Sequence, residues 1–386
     1  MSKKIIYVSF IRLTDKVTRD WYIDYSINKG AVVEYWDIVS LVREEHEEKG
    51  QLDLYYLRYI KTYKEFRTLV RKKENRYAVY VMMISYSGRF SKPYRILSKY
   101  SCRMVYLSWA AMPSTIFVPR LKRIIYGLFS NPVGFVKTAI DVRLGIAYRK
   151  LNIVRPFDIL FVAGSVLSNF DQHAKRVVQF NQPDFDHYSR VKLTNKRIVQ
   201  GKYAVFLDIN LPFQSDLAIC GLTQVNALSY IKSLNRFFDL IEKFYDIKIV
   251  IAAHPKANYD SKTFEDRETY RLQTAELVKD AEFVLTHQST SLSYAVLNLK
   301  SVLFIYNDEM IKHYENSVIP EIEGHASYFN ACVYNVDQIT DGSQVKIHLP
   351  NRERYDAYKY SYLTSYESEK FSSAEIFWSN INTDFA

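Results

Sequence analysis

Between Ile247 and Tyr306 the chain twice runs an apolar, β-rich segment straight into polar residues. Ile247–Ala253 leads into His254, Pro255 and Lys256, and Phe283–Thr286 leads into His287, Gln288, Ser289, Thr290 and Ser291. Short, continuous apolar runs of this kind read as strands buried on both faces of a parallel sheet. In an open α/β sheet, ligands bind outside the carboxyl ends of the strands, where the following helix presents unpaired N–H groups and its positive end. A Ser-Thr-Ser turn supplies hydroxyl and amide donors suited to phosphate oxygens. A histidine at the tip of an adjoining strand offers a charged donor, or hands a proton to a departing phosphate oxygen. The combination predicts a nucleotide monophosphate or diphosphate site formed by His254, Pro255 and Lys256 with His287, Gln288, Ser289, Thr290 and Ser291. Each turn alone also has a purely structural reading. Ser289 or Thr290 can cap the next helix, and His254-Pro255 can simply end a strand.

Two further sets of carboxylates can serve such a site. Tyr203–Asp208 reads as a buried strand ending in a carboxylate, one crossover from the strand that carries His254. Asp208 is there placed to take a proton from an acceptor hydroxyl as catalytic base, or else to cap its own loop. Asp184 and Asp186, in Pro183-Asp184-Phe185-Asp186-His187, match the short pattern in which two carboxylates hold a divalent ion against a diphosphate. A Pro-Asp-x-Asp run is equally a good turn, and the expectation adopted here is a site that requires no metal.

The elements that must position these residues fall into two β-α-β series. Ile5–Ile11, a helical Thr14–Asn28 and Ala31–Val39 open the first; Gln51–Lys73 reads as helix, and Tyr77–Ile84, Met104–Ser108, Phe157–Val162 and Arg176–Phe180 as strands. Its first turn, Ser9 to Thr14, holds no glycine, so the dinucleotide fingerprint is absent. Lys192–Lys202 is polar and reads as the link. The second series runs Tyr203–Asp208, the amphipathic helix Leu222–Tyr245, Ile247–Ala253, a helix over Glu265–Lys279, Phe283–Thr286, Leu292–Leu299 and Ser301–Tyr306. The expected domains are 1–195, 200–345 and a helical tail, 350–386, that crosses back over the first.

Composition narrows the class. Of 386 residues, 48% are hydrophobic and 24% charged, so the chain folds rather than staying disordered. Fifty-two lysines and arginines against 42 acids give a net charge of +10, which implies an acidic partner or an anionic surface. The cations are spread along the chain rather than gathered with stacking aromatics, which argues against a nucleic-acid-binding protein. One stretch, 119–151, interleaves Arg120, Lys122, Arg123, Lys137, Arg143 and Arg149 with Ile124, Tyr126, Phe129 and Phe135, the pattern of a peripheral membrane patch. No uncharged run approaches the length of a membrane span. Cys102, Cys220 and Cys332 share no metal-ligand spacing and fit a reducing cytoplasm.

Two β-α-β domains in tandem, with the chemistry on the second, resemble the GT-B glycosyltransferases. His254-Pro255 followed by Ser289-Thr290 looks like the His-Pro and Ser-Ser/Thr motifs of bacterial sialyltransferases and related enzymes that use CMP-activated ulosonic acids. The resemblance implies an α/β architecture of two Rossmann-like domains facing across a cleft, and a histidine, His254, acting on the donor phosphate that Ser289 and Thr290 bind. It further implies Asp208 as base, and a glycan acceptor, lipid-linked or oligosaccharide, in surface polysaccharide synthesis at the cytoplasmic membrane. Teichoic-acid polymerases using CDP-glycerol carry a comparable histidine and hydroxyl pair, so a CDP-alcohol phosphotransferase or a UDP-sugar enzyme is the alternative. A CMP donor releases a phosphate monoester and has no diphosphate bridge to demand a metal, so no cofactor is expected.

Overall fold

The computed structural model describes residues 3–41, 54–109, 112–113, 132–166, 173–214 and 223–382. The chain divides into two compact units, one of residues 1–110, 118–181 and 364–386, the other of 111–117 and 182–363.

The first unit is built on a seven-stranded, wholly parallel sheet. In chain order its strands are β1 (Lys4–Ser9), β2 (Val32–Asp37), β3 (Leu57–Tyr59), β4 (Val79–Met83), β5 (Arg103–Ser108), β6 (Phe157–Ala163) and β7 (Ala174–Phe180). They lie side by side as β3-β2-β1-β4-β5-β6-β7. Because side chains alternate across a strand, Ile5 and Tyr7 enter one apolar layer with Val79 and Phe161, while Ile6 and Val8 enter the opposite layer with Tyr80 and Met82. Each such side chain gains about 2 kcal/mol from burial. The helix Ser373–Asn382, late in the chain, adds Phe377 and Ile381 to the first of these layers.

The helix Pro132–Lys150 packs on the loop that follows β4. The Tyr86 hydroxyl donates to the Gly145 carbonyl at 2.8 Å, and the Arg89 N–H donates to the Asp141 carboxylate. Approach is so close at Gly88 that a Cβ there would lie 2.5 Å from the Asp141 carbonyl oxygen. The same helix exposes Val136, Ile140, Val142, Leu144 and Ile146. The remainder of the basic stretch, residues 119–131, lies outside the described residues. Among the described residues no helix is long and apolar enough to cross a membrane.

The second unit carries a six-stranded parallel sheet of β8 (Tyr203–Leu207), β9 (Lys248–Ala253), β10 (Thr269–Arg271), β11 (Phe283–Thr286), β12 (Ser301–Tyr306) and β13 (Cys332–Asn335). Its lateral order, β10-β9-β8-β11-β12-β13, repeats that of the first six strands of the other sheet. Winding one way from a central strand and then the other is the doubly wound plan, so both units are Rossmann-like α/β domains. In the second, the direction of winding reverses between β8 and β11, which pair in register at Leu207 and Thr286.

Several elements differ from the sequence reading. The edge strands β3 and β10 sit inside segments read as helical, Gln51–Lys73 and Glu265–Lys279. Each is three residues long and pairs on one side only, so neither carries a buried apolar run. Asp184 to His187 form the first turns of a helix, Pro183–Val191, with Pro183 at its start, where the missing proline N–H costs nothing. Phe185, Val191 and Val199 join the core of the second unit. Residues 192–202, expected as a link, therefore lie within that unit, and the division falls at Asn181 and Gln182.

Candidate functional site

The tip of β8 is the centre of the arrangement. Asp208 follows directly on β8, is 5% exposed, and accepts three hydrogen bonds. Oδ1 accepts from the Asn210 N–H at 2.8 Å, and Oδ2 accepts from the His254 N–H at 3.1 Å and from the Tyr259 hydroxyl at 3.0 Å. The first closes an Asx turn whose Asn210 adopts a left-handed conformation, φ 55°, a region asparagine tolerates. Burial raises the Asp208 pKa above the usual carboxylate range, and the donors from His254, Asn210 and Tyr259 oppose that rise.

His254 stands at the tip of β9, next to β8, and is half-buried. Its Nδ1 accepts from the Lys256 N–H at 3.2 Å, which makes Nε2 the protonated nitrogen of the neutral ring. The Ala257 N–H donates to the His254 carbonyl at 2.8 Å, closing a turn whose middle residues, Pro255 and Lys256, are exposed. Tyr259, five residues beyond His254, ties this turn to β8 by sharing its hydroxyl between Asp208 and Asn210, both at 3.0 Å.

On the other side of β8 stands β11. The strands bearing His254 and Ser289 are thus not adjoining, as the sequence reading has them. The chain reverses its winding after β10, and β11 enters beyond β8. Two strand spacings, roughly 10 Å, separate the axes of β9 and β11. Gln288 and Ser289 are half-buried and Thr290 is exposed, ahead of the helix Leu292–Leu297. Ser291 is the helix cap residue but makes no side-chain capping bond; its N–H instead donates to Ser289 Oγ at 3.3 Å. Among the described residues the Thr290 and Ser291 hydroxyls have no hydrogen-bond partner. The Gln288 amide is committed to Glu321, at 2.5 Å.

His287 departs from its expected place among the phosphate ligands. The ring is fully buried, Nδ1 donates to the Ile305 carbonyl at 2.5 Å and Nε2 accepts from the Tyr230 hydroxyl at 2.7 Å. His287 points into the core, edge-on to Phe206, while Gln288 and Ser289 continue the chain toward solvent. Burial lowers its pKa to about 4. This histidine is a neutral brace between β11, β12 and the helix Ala227–Tyr245.

Asp184, read from the sequence as half of a metal-binding pair or as part of a turn, is committed to neighbouring side chains. Ser293 Oγ donates to Asp184 Oδ2 at 2.6 Å and the Tyr294 hydroxyl to Oδ1 at 3.1 Å. The carboxylate thereby fastens the helix Pro183–Val191 to Leu292–Leu297, with His187 Nδ1 3.1 Å from the same Tyr294 hydroxyl. Asp186 lies on the same first turn. Among the described residues no group of three or more His, Cys, Asp or Glu side chains is arranged to hold a metal ion.

Two residues that sequence reasoning passed over matter here, Tyr259 and Tyr230. Tyr259 had a signal, an aromatic hydroxyl inside an otherwise polar strand-end loop. Tyr230 had none, since its helical position reads as ordinary core.

No family model matches the chain, and no curated protein matches its sequence. Its path is similar to several solved structures. The glycosyltransferase SnogD from Streptomyces nogalater shares 9% identity at a TM-score of 0.45, covering 99% of each chain. The UDP-GlcNAc 2-epimerase from Methanocaldococcus jannaschii shares 12% at 0.47, again covering 99% of each. The wall teichoic acid polymerase TagF shares 11% at 0.48, covering 99% of this chain and 88% of that one. The fold assignment rests on the strand order and register described above.

Proposed function

We propose that the chain is a nucleotide-sugar-dependent glycosyltransferase whose donor phosphate is held at the tips of β8, β9 and β11 in the second unit. One observation carries this reading. At the point where the sheet reverses, a buried carboxylate, Asp208, fixes the backbone of half-buried His254 at the tip of the strand on one side of β8, and the turn with uncommitted Thr290 and Ser291 hydroxyls follows the strand on the other. Such a switch point is where open α/β sheets bind nucleotides.

In this reading Nε2–H of His254 donates to the phosphate oxygen that becomes the leaving group, and Ser289, Thr290 and Ser291 contribute hydroxyl and amide donors to the same phosphate. One well-placed donor to a developing charge contributes roughly 3 kcal/mol. Lys256 adds positive charge at the rim. Asp208 acts by positioning His254 rather than as the base, because its oxygens already accept three hydrogen bonds and it is almost fully enclosed. The donor is a CMP-linked ulosonic acid, since a phosphate monoester leaves without a metal, and the acceptor is a glycan, free or lipid-linked. The exposed aliphatic side chains of Pro132–Lys150, interspersed with Lys137 and Arg143, support a peripheral contact with the cytoplasmic face of a membrane.

The test is nucleotide protection followed by turnover. CMP is expected to raise the melting midpoint more than UDP, and His254→Ala to abolish transfer from a CMP-sugar without lowering that midpoint in the free protein. Failure of CMP, CDP and UDP alike to shift the midpoint would overturn the proposal. Turnover of CDP-glycerol but not of CMP-sugars would replace the sugar donor with an alcohol phosphate.

A further inference from the structure

The first unit contains a concave site that none of the preceding chemistry uses. A cavity of about 490 Å³ lies along the helix Ser91–Lys99, and five cations line it: Arg67, Lys92, Arg95, Lys99 and Arg155. Among the described residues no carboxylate lines it. Among the described residues none of the five is ion-paired with an acid.

The fold gathers them by simple geometry. Lys92, Arg95 and Lys99 recur at steps of three and four, so they share one face of the helix; Tyr94 and Leu97 are buried on the other. Seven residues at 1.5 Å each spread Lys92 and Lys99 over about 10 Å. Arg67 comes from the neighbouring helix Tyr63–Arg71. Arg155 comes from the approach to β6, where its N–H donates to Ser98 Oγ at 3.0 Å, a hydroxyl that also lines the cavity. The site therefore lies toward the amino ends of β5 and β6, away from the strand tips where a nucleotide would bind in such a sheet. Two of the cations are steadied by rings, the Lys92 ammonium 4.0 Å from the centroid of Tyr63 and the Arg95 guanidinium 4.7 Å from that of Tyr148.

Five like charges around one small cavity repel one another, and a partner of opposite sign relieves that repulsion. Carboxylates bring a single charge each, and a neutral glycan would meet few acceptors here for its hydroxyls. Arginine forks and lysine ammonium groups instead match closely spaced phosphoryl oxygens. We infer that this groove binds a diphosphate, either as a free anion or as a phosphorylated lipid headgroup. The inference is independent of the proposed transferase activity.

The experiment is calorimetric titration of the full chain with inorganic pyrophosphate, in three variants beside the wild type. Arg95→Glu/Lys99→Glu reverses two exposed cations of the groove. Lys232→Glu/Lys243→Glu makes the same charge change on an exposed face of the second unit, and His254→Ala removes the imidazole of the strand-tip site. Melting curves establish that each variant is folded. Pyrophosphate is expected to bind the wild type, the Lys232/Lys243 variant and His254→Ala alike, and at least tenfold more weakly to the Arg95/Lys99 variant. Flotation on phosphatidylcholine vesicles doped with a lipid that carries a diphosphate headgroup separates the two sources. Flotation that the Arg95/Lys99 variant lowers and pyrophosphate competes marks a lipid headgroup; flotation indifferent to both, with pyrophosphate binding retained, marks a free anion. No pyrophosphate binding by the wild type, or equal losses in the two charge-reversed variants, overturns the inference.

Discussion

The N–H of His254 donates to Oδ2 of Asp208 at 3.1 Å, so the carboxylate ending one strand sets where the next strand releases its imidazole. The bond joins main chain to side chain, and it holds whichever way the imidazole turns. That separates holding His254 from doing chemistry, and the two are separable by mutation. In Asp208→Asn the amide nitrogen must face donors, leaving one of them unsatisfied at a cost of about 1–3 kcal/mol. A misplaced His254 then lowers turnover by roughly 100-fold, while the pH profile of kcat/KM keeps its acidic limb. Loss of that limb in the asparagine variant would restore Asp208 as the base.

Tyr259→Phe removes the one hydroxyl donor that Asp208 and Asn210 share, without emptying the space. Expected is a loss of about 1 kcal/mol in unfolding free energy, with a turnover defect smaller than that of Asp208→Asn. Denaturant titration beside steady-state kinetics reads both.

His287 makes stability depend on pH in a defined direction. Its folded pKa, about 4, lies below the ordinary 6.5, so between those values the unfolded chain binds a proton that the folded chain refuses. Stability is complete above pH 6.5 and falls as pH drops toward 4, by roughly 3 kcal/mol in all. The raised pKa of Asp208 works the opposite way, favouring the folded state at acidic pH and losing that contribution as pH rises. Unfolding measured across this range should show a shallower slope in His287→Gln than in the wild type; equal slopes would mean that the ring is protonated in place.

Asp184→Ala strands the fully buried Ser293 hydroxyl, whereas the Tyr294 hydroxyl keeps His187 Nδ1 within 3.1 Å. About 1–3 kcal/mol should be lost for the buried group left unsatisfied. A chelator, in contrast, should leave the wild-type melting midpoint and transfer rate unchanged. A rate that falls with chelation and returns with a divalent ion would reopen the metal role.

Gly88→Ala drives a methyl into the Asp141 carbonyl, 2.5 Å away, and the Leu144 Cβ, 2.9 Å away. Backbone cannot yield as a side-chain tip does, so a cost of about 1–3 kcal/mol is expected. It should appear as early hydrogen exchange in Pro132–Lys150 rather than in the second unit.

How much of this was legible beforehand follows from what each residue advertises. Ile249 to Ala253 and Phe283 to Thr286 are buried on both faces, and such runs announce themselves. Leu57-Arg58-Tyr59 and Thr269-Tyr270-Arg271 lie at sheet edges, half-exposed and polar, and carry no period to detect. The clustering of His254 with Asp208 was readable because both end buried strands. The inward turn of His287 was not, because a polar residue one step past a strand falls on either face until the neighbouring Tyr230 and Ile305 are known. Asp184-Phe185-Asp186 read as a turn rather than a helix start for a related reason: a proline at the first helical position looks the same as one in a turn.

The placement of Phe377 and Ile381 has a consequence for synthesis. Both complete an apolar layer against β1, β4 and β6, yet they follow the entire second unit in the chain. A ribosome therefore delivers the second sheet whole before the first can close, and the earliest part of the polypeptide waits longest with its greasy flank open. Holding factors should bind nascent chains that end near residue 363 through that flank, and let go once the last helix has emerged.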